Sequence, residues 1–170
     1  LGGGGSDLVF TSGATEAAAL ALAGRGLASA PVEHDAVAAW TDGSRPADRD
    51  GRVAVADPGR AALQLANSET GVVQELPAGL AVSDVTQGVG RLPYAHDWAG
   101  VGMAILSAHK FGGPKGAGAL ILPRGALLEA RQRGGGQEMG RRAVTEEFGE
   151  GGGLGEAAEA ALRELAEGAW

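Results

Sequence analysis

The segment AILSAHKFGGPKGAGALIL, residues 104–122, places a lysine directly after a histidine, between an apolar run and a glycine-rich turn. The chain has 14 Lys+Arg residues, of which only Lys110 and Lys115 are lysines. A lysine held among apolar neighbours loses part of its preference for the charged form and can form a Schiff base with an aldehyde. We therefore interpret Lys110 as a candidate nucleophile; the alternative is a surface lysine beside a turn.

A second candidate site is the sequence TSGATE, residues 11–16, between a predicted strand and a predicted helix. Glycine followed by the exposed amides of a helix start, with hydroxyls on Ser12 and Thr15, favours an anion such as a phosphate. The alternative is an ordinary N-cap formed by Ser12 or Thr15, with Glu16 assisting. The later GGPKGAG lacks the Lys-Ser/Thr pair that ends a nucleotide P-loop, and we interpret it as a turn.

The third candidate is SDVTQGVGRLP, residues 83–93, in which Asp84 follows an apolar strand. A lone carboxylate there must find a cation or shift its pKa, and a pyridinium nitrogen is one suitable cation. Gln87 can face the same side of the turn and donate to a phenolate oxygen. Taken singly, each has an ordinary alternative: Asp84 could be a turn or N-cap aspartate, and Gln87 could be a solvent-facing amide. A phosphate seat, a buried acid and a strand-end lysine together are what pyridoxal phosphate requires.

Short apolar runs alternate with helical patterns along the chain, which predicts an α/β sheet covered by helices. In such sheets ligands bind beyond the carboxyl ends of the strands, where we expect the candidate residues to meet. The connections 25–33 and 74–84 are barely long enough to hold crossover helices. The predicted strands cover residues 8–10, 52–56, 61–66, 80–83, 103–106 and 118–122, and the predicted helices cover 14–23 and 153–167.

The composition limits the classes of partner and site. With 170 residues, the chain is expected to form one domain over residues 1–170. A net charge of −7 without a run of basic residues argues against nucleic acid or an anionic membrane as a partner. No window is apolar enough for a membrane span and no signal peptide is visible, so the expected location is the cytoplasm. The absence of cysteine excludes disulfides, thiolate metal sites and a cysteine nucleophile within these residues.

Six motifs occur in the order found in one enzyme family: VFTSGATEAAALAL, EHDAV, ANSETGVVQEL, SDVTQGVGRLP, LSAHKFGGPKGAGAL and GGGQEMGRRAVTEE. Together they resemble the cysteine desulfurases, in the class-V aminotransferase family of fold-type-I pyridoxal-phosphate enzymes. The resemblance implies the large cofactor domain of these enzymes in shortened form, a three-layer α/β sandwich with a mostly parallel sheet. The family's N-terminal segment and C-terminal small domain are missing and the chain begins at Leu1, so we expect a segment or a truncated form.

The resemblance implies one group of residues that bind the cofactor phosphate. Ala14 and Thr15 would seat the phosphate, and Ser107 and His109 would also bind it. Thr145, in RRAVTEE, matches a threonine that in the family reaches the phosphate bound by the partner subunit. A homodimer is therefore implied.

A second group would contact the cofactor ring and its aldehyde carbon. His34 would stack on the ring, Asp84 would pair with the ring nitrogen and Gln87 would contact the ring hydroxyl. Lys110 would carry the Schiff base and, with His34, act in catalysis. Ser68 stands where the family usually has an asparagine facing the cofactor, and its shorter side chain weakens that contact. Two further departures from the family pattern are Val82, in place of a histidine, and Met139, in place of an arginine.

The implied activity is conversion of L-cysteine to L-alanine, with sulfur transfer for iron–sulfur cluster assembly or thio-modification. A sulfur-acceptor or scaffold protein would then be a partner. In the family, a cysteine on a later mobile loop takes up the sulfur and an arginine holds the substrate carboxylate; both lie in a region that this sequence lacks. Two alternatives therefore stay open: a class-V aminotransferase or lyase, which needs no catalytic cysteine, and a non-catalytic truncated remnant.

Overall fold

The computed structural model describes residues 4–131 and 148–168, and these form a sheet with helices on both faces. The four strands are β1 (Ser6–Thr11), β2 (Val82–Asp84), β3 (Met103–Ser107) and β4 (Gly118–Pro123). The α-helices are α1 (Ala14–Leu22), α2 (Asp35–Ala38), α3 (His96–Ala99) and α4 (Phe148–Ala166). Two 3-10 turns cover Pro58–Arg60 and Ala108–Phe111.

The strand order in the described part of the chain is β1-β4-β3-β2, and of these four strands only β4 runs in the opposite direction. It pairs antiparallel with β1 and with β3, whereas β2 and β3 pair in parallel. Consequently the carboxyl ends of β1, β2 and β3 lie at the same edge as the amino end of β4. Gly118 marks this edge, since it pairs with Thr11 on one side and with Ser107 on the other.

Main-chain hydrogen bonds extend the parallel part of the sheet beyond β2. The Leu63 and Leu65 amides donate to the carbonyls of Val82 and Asp84 at 3.1 and 2.8 Å. Next to them, the Ala62 amide donates to the Ala28 carbonyl at 2.8 Å. Two isolated parallel bridges, Ala62 with Val82 and Ala28 with Ala61, mark these contacts. The predicted strand at 61–66 is thus present as an extended segment beside the sheet.

The α/β prediction is confirmed, and the sheet differs from the expectation in one respect. The four described strands form a mixed sheet, because β4 reverses direction, where a mostly parallel sheet was expected. The strand before α1, β1, pairs only with the antiparallel β4 in the described sheet.

The predicted strand at residues 52–56 is wrong. Only Val53 is paired there, in an isolated antiparallel bridge with Ala47. The Asp48 carboxylate accepts from the amides of Asp50 and Arg52, both at 2.9 Å, and so closes a local turn between the bridged residues. The alternating apolar residues follow this turn and are not part of the sheet.

Alternation along the strands sends side chains to two separate cores. On one face, Ile105, Leu120 and Leu122 pack with the alanine-rich surface of α1. On the other face, Leu106, Ala119 and Ile121 pack with Leu154, Ala158 and Ala161 of α4. Helix, sheet and helix therefore form the three layers that were expected.

The connections 25–33 and 74–84, expected to be barely long enough for crossover helices, contain no helix. Between α1 and β2, helical structure is limited to the four-residue α2 and the 3-10 turn at Pro58–Arg60. The predicted helix at 153–167 is confirmed and begins earlier, at Phe148. None of the helices described is both long enough and apolar enough to cross a membrane.

Candidate functional site

A cleft of about 520 Å³ opens at the sheet edge where β1, β2 and β3 end and β4 begins. Nine of the ten residues predicted from the sequence as site residues line it; Thr145 lies outside the described residues. The nine come from five separate parts of the chain, which the sheet topology brings to one edge. The lining consists of Ser12, Gly13, Ala14, Thr15, Glu16, His34, Gln64, Ala66, Ser68, Glu69, Asp84, Thr86, Gln87, Ser107, His109, Lys110, Lys115 and Gly116.

One end of the cleft, called here the helix end, is built by the start of α1. The N-cap is Gly13, and no side chain forms a capping hydrogen bond there. Ser12 instead donates to the Glu16 carboxylate from its amide at 2.7 Å and from its hydroxyl at 2.8 Å. The alternative in which Ser12 or Thr15 caps the helix is therefore wrong. The first amides of α1 face the cleft without a side-chain cap, which suits an anion.

Ser107 and His109 complete the helix end from β3. The Ser107 hydroxyl is buried and hydrogen-bonds to His109 Nδ1 at 2.9 Å, while His109 is exposed. A Cβ on Gly118 would lie 2.6 Å from Gly13 Cα, so only glycine lets β4 pass this close to the turn before α1. This close approach brings the start of α1 next to the end of β3, where a Cβ on Gly13 would lie 3.8 Å from Ser107 Oγ.

Lys110 lies in the 3-10 turn that follows β3. Ala108 and Phe111 are buried on either side of it, whereas Lys110 is half-buried and lines the cleft. The lysine predicted to sit among apolar neighbours is thus anchored by them and borders an open space. Lys115, for which no role was predicted, also lines this cleft and is exposed.

The opposite end of the cleft, called here the acid end, is formed at the end of β2. The Asp84 carboxylate accepts from the Thr86 amide at 3.0 Å. Burial raises the pKa of Asp84, although the hydrogen bonds from Thr86 and the nearby charge of His34 act in the opposite direction. Gln87 follows on the same loop and is half-buried. A cation placed beside Asp84 would remove the cost of keeping this carboxylate ionised.

A second carboxyl group near the acid end, that of the buried Glu33, was missed by sequence reasoning. Its Oε1 accepts from the Gln64 amide at 2.9 Å, and its Oε2 is buried without a hydrogen-bond partner among the described residues. Burial raises the pKa of Glu33 to about 7; the charge of Asp84 adds to this, and the Gln64 bond opposes it. The sequence offered no signal for this role, because a glutamate before His34 in a polar loop is most simply an exposed side chain.

His34 and Ser68 approach the cleft from loops beside the acid end. His34 is the N-cap of α2, and its Nδ1 accepts from the Ala36 amide at 3.1 Å. In the neutral imidazole the proton then sits on Nε2. Ser68 is exposed and donates to the Glu69 carboxylate at 3.2 Å. Both side chains line the cleft and both are less enclosed than Asp84.

Residues 56–152 match the profile of the Aminotransferase class-V family. The chain belongs to this family. The match includes the acid-end loop and the lysine turn, whereas the start of α1 and His34, which also line the cleft, lie outside the matched residues.

Relatives and solved structures agree with the family assignment. A cysteine desulfurase of Frankia sp. is 38% identical, and the match covers 95% of this chain and 49% of that protein. The X-ray structure of a NifS-like protein from Rickettsia africae superposes with a TM-score of 0.83 at 25% identity, over 96% of this chain and 53% of that one. The structure of SspA in complex with cysteine superposes with a TM-score of 0.78 at 28% identity, over 89% of this chain and 55% of that one.

The chain spans about half the length of the curated relatives it matches. The Frankia alignment also runs over 207 positions, more than the 170 residues of this chain. That relative therefore has residues inside the matched region that this chain lacks. This finding agrees with the short connections between α1 and β2.

Proposed function

We propose that this chain is the pyridoxal-phosphate-binding core of a cysteine desulfurase, which converts L-cysteine to L-alanine and passes on the sulfur. One observation supports this most strongly: an uncapped helix start, a lysine and a half-buried acid, each predicted separately from the sequence, line a single cleft. The names of the relatives, cysteine desulfurases and NifS-like proteins, supply the reaction class.

The donor set of the cleft fits pyridoxal phosphate. The cofactor has an anionic end, a ring nitrogen that can carry a positive charge, and an aldehyde. The helix end offers amides and hydroxyls for the anion, the acid end offers the half-buried carboxylate of Asp84 for the cation, and Lys110 offers an amine. When bound, the cofactor supplies an electron sink that stabilises negative charge on the substrate.

The phosphate would be held at the helix end. Ala14 and Thr15 contribute the first turn of α1, where the helix dipole and free amide groups favour negative charge. Ser107 and His109 contribute a hydroxyl and an imidazole that are already hydrogen-bonded to each other. Thr145 would contact the phosphate in the partner subunit of a homodimer.

The ring would be held at the acid end. Asp84 would accept a hydrogen bond from the protonated ring nitrogen, whose positive charge would offset the unfavourable burial of the carboxylate charge. Gln87 would donate to the ring hydroxyl. His34 would cover one face of the ring, since its Nδ1 is fixed by Ala36 and the ring orientation is thereby restrained. Ser68 would add a weak polar contact.

Lys110 and His34 are the proposed catalytic residues. Lys110 would hold the cofactor through its Nζ, and the same amine is placed to accept and return a proton at the substrate carbon. His34 would exchange a proton through Nε2, because Nδ1 already accepts a hydrogen bond. No residue of the chain can accept the sulfur as a thiolate, since the sequence has no cysteine. The accepting thiol must come from outside these 170 residues.

The proposal includes L-cysteine as substrate, a sulfur-acceptor or scaffold protein as partner, and iron–sulfur cluster assembly or thio-modification as destination. A relative from Dictyoglomus turgidum named cysteine desulfurase IscS supports this class of role. We place the protein in the cytoplasm, as inferred from the sequence.

The test is an assay of products from L-cysteine with added pyridoxal phosphate and an excess of a small thiol as sulfur acceptor. Desulfurase activity gives alanine and sulfide in equal amounts, and Lys110→Ala abolishes both. The absence of cysteine favours a second candidate, a class-V aminotransferase or lyase, which would give a keto acid instead. A wild-type protein that binds no cofactor would leave the non-catalytic remnant as the remaining interpretation.

A further inference from the structure

Arg91 joins two loops that border the cleft. Its Nη2 donates to the main-chain carbonyl of Lys110 in a short hydrogen bond. Its Nη1 donates to the main-chain carbonyl of Gln87 at 3.3 Å. Both acceptor residues line the cleft, whereas Arg91 itself does not. One guanidinium thus connects the loop after β2 to the turn after β3.

The loop that carries Gln87 and Arg91 is fixed by close packing. A Cβ on Gly88 would lie 2.3 Å from Leu65 Cδ2. A Cβ on Gly90, which has a φ of +77°, would lie 2.8 Å from the Ala161 Cβ. The backbone here therefore has little room to shift, and Arg91 projects from a rigid base.

The turn that carries Lys110 is held on its core side by Phe111 and Ala108, both buried. The Gly113 amide donates to the Ala108 carbonyl at 2.9 Å and closes the turn. On the other side, the Lys110 carbonyl meets Arg91. The orientation of this peptide group determines where the Lys110 side chain begins, so a change in the Arg91 contact moves the amine.

We propose that Arg91 is a positioning residue that sets the placement of Lys110 relative to Gln87. The inference rests on the proposed function, since it concerns the amine that would hold the cofactor. A guanidinium suits the task because its N–H groups form a rigid planar fork that holds two carbonyls at a fixed spacing. An ammonium group is a point charge on a flexible stem and fixes no such spacing.

The test compares Arg91→Ala and Arg91→Lys with the wild type and with Arg52→Ala. Arg52 is a matched control, because its exposed guanidinium also donates to a main-chain carbonyl, that of Val73 at 2.9 Å, away from the cleft. Two quantities are measured: the Kd for pyridoxal phosphate, and the pH midpoint of the visible absorption band at saturating cofactor. The unfolding midpoint in denaturant is recorded for every variant.

We expect Arg91→Ala to raise the Kd about tenfold, the effect of losing a hydrogen bond from a charged donor. The pH midpoint of the band shifts as well, because Lys110 lies differently against the cofactor. Arg91→Lys gives a smaller change in the same direction, and Arg52→Ala matches the wild type in both quantities.

The inference is overturned if both Arg91 variants show the wild-type Kd and pH midpoint, or if only their unfolding midpoint changes. Should Arg91→Ala fail to fold, Arg91→Lys decides by the same criterion. A wild-type protein without a visible band contradicts the proposed function, and the inference with it. A wild-type band that the Arg91 variants leave unchanged removes the inference alone.

Discussion

The two ends of the cleft are built in different ways. The helix end stands on regular elements: β1, β3 and β4 are paired over five or six residues each, and α1 packs on them through buried alanines and leucines. The acid end stands on the three-residue β2 and on segments joined to it by isolated bridges. Apolar packing therefore supports the helix end, whereas hydrogen bonds must support much of the acid end.

Polar side chains hold the loops of the acid end together. The side-chain amides of Gln64 and Asn67 donate, through Nε2 and Nδ2, to the Val32 main-chain carbonyl at 2.7 and 2.8 Å. The buried Ser83 hydroxyl donates to the Leu63 carbonyl at 2.8 Å. Such bonds are directional and each adds a modest stabilisation, so they can position residues where no crossover helix covers the sheet. The comparison predicts that the helix end is sensitive to steric change and the acid end to polar change.

The largest effect is expected at the helix end, from Gly118→Ala. The new Cβ would meet the Gly13 backbone at 2.6 Å, and backbone cannot move aside as a side chain can. We expect a loss of at least about 3 kcal/mol in the free energy of unfolding, measured in denaturant. Gly5→Ala is the control, since its Cβ would meet nothing within 4 Å. Equal stability of the two variants would show that the close approach is not required.

An intermediate effect is expected at the acid end, from Glu33→Gln. Folding raises the pKa of Glu33 from 4.5 to about 7, so the folded state retains a proton that the unfolded chain releases. Wild-type stability therefore falls as the pH rises from about 4.5 to about 7, by up to about 3 kcal/mol. The amide variant removes this slope and keeps an acceptor for the Gln64 amide.

The measurement for Glu33 is denaturant unfolding at pH 5 and pH 8 in both proteins. Asp84, whose pKa is also raised by burial, contributes a slope of the same sign to both, so only the difference between them reports on Glu33. Parallel slopes in wild type and Glu33→Gln would contradict the assignment.

The smallest effect is expected from Ser83→Ala, which removes one of the hydrogen bonds between β2 and the neighbouring segment. Its loss leaves the Leu63 carbonyl with one partner fewer and should lower the free energy of unfolding by about 1 kcal/mol. The exposed Ser44→Ala serves as control and should stay within about 0.5 kcal/mol of wild type. An acid end that tolerated Ser83→Ala as well as Ser44→Ala would not depend on polar contacts as described.

The sequence predicted the helix end better than the acid end, for a physical reason. The runs at 8–10, 103–106 and 118–122 lie within β1, β3 and β4, because an apolar run closed by glycine or polar residues indicates a buried strand. The direction of β4 was missed, since a strand buried on both faces has the same composition whichever way it runs.

Outside the helix end the local pattern was misleading or silent. Residues 52–56, away from the cleft, alternate like a strand yet hold one isolated bridge, and Glu33 and Arg91 have no sequence pattern that distinguishes them from exposed charges. Their roles arise from contacts with residues 19 to 31 positions away along the chain. The roles of the nine cleft residues toward a cofactor stay predictions, and that of Thr145 falls outside the described residues.

The most direct test of the central claim is reduction with borohydride of the protein mixed with pyridoxal phosphate, followed by peptide mass mapping. The chain contains two lysines, Lys110 and Lys115, and both line the cleft, so the map distinguishes between them. We predict one cofactor mass added on Lys110 and none on Lys115. Labelling of Lys115 alone, or equal labelling of both lysines, would contradict the account.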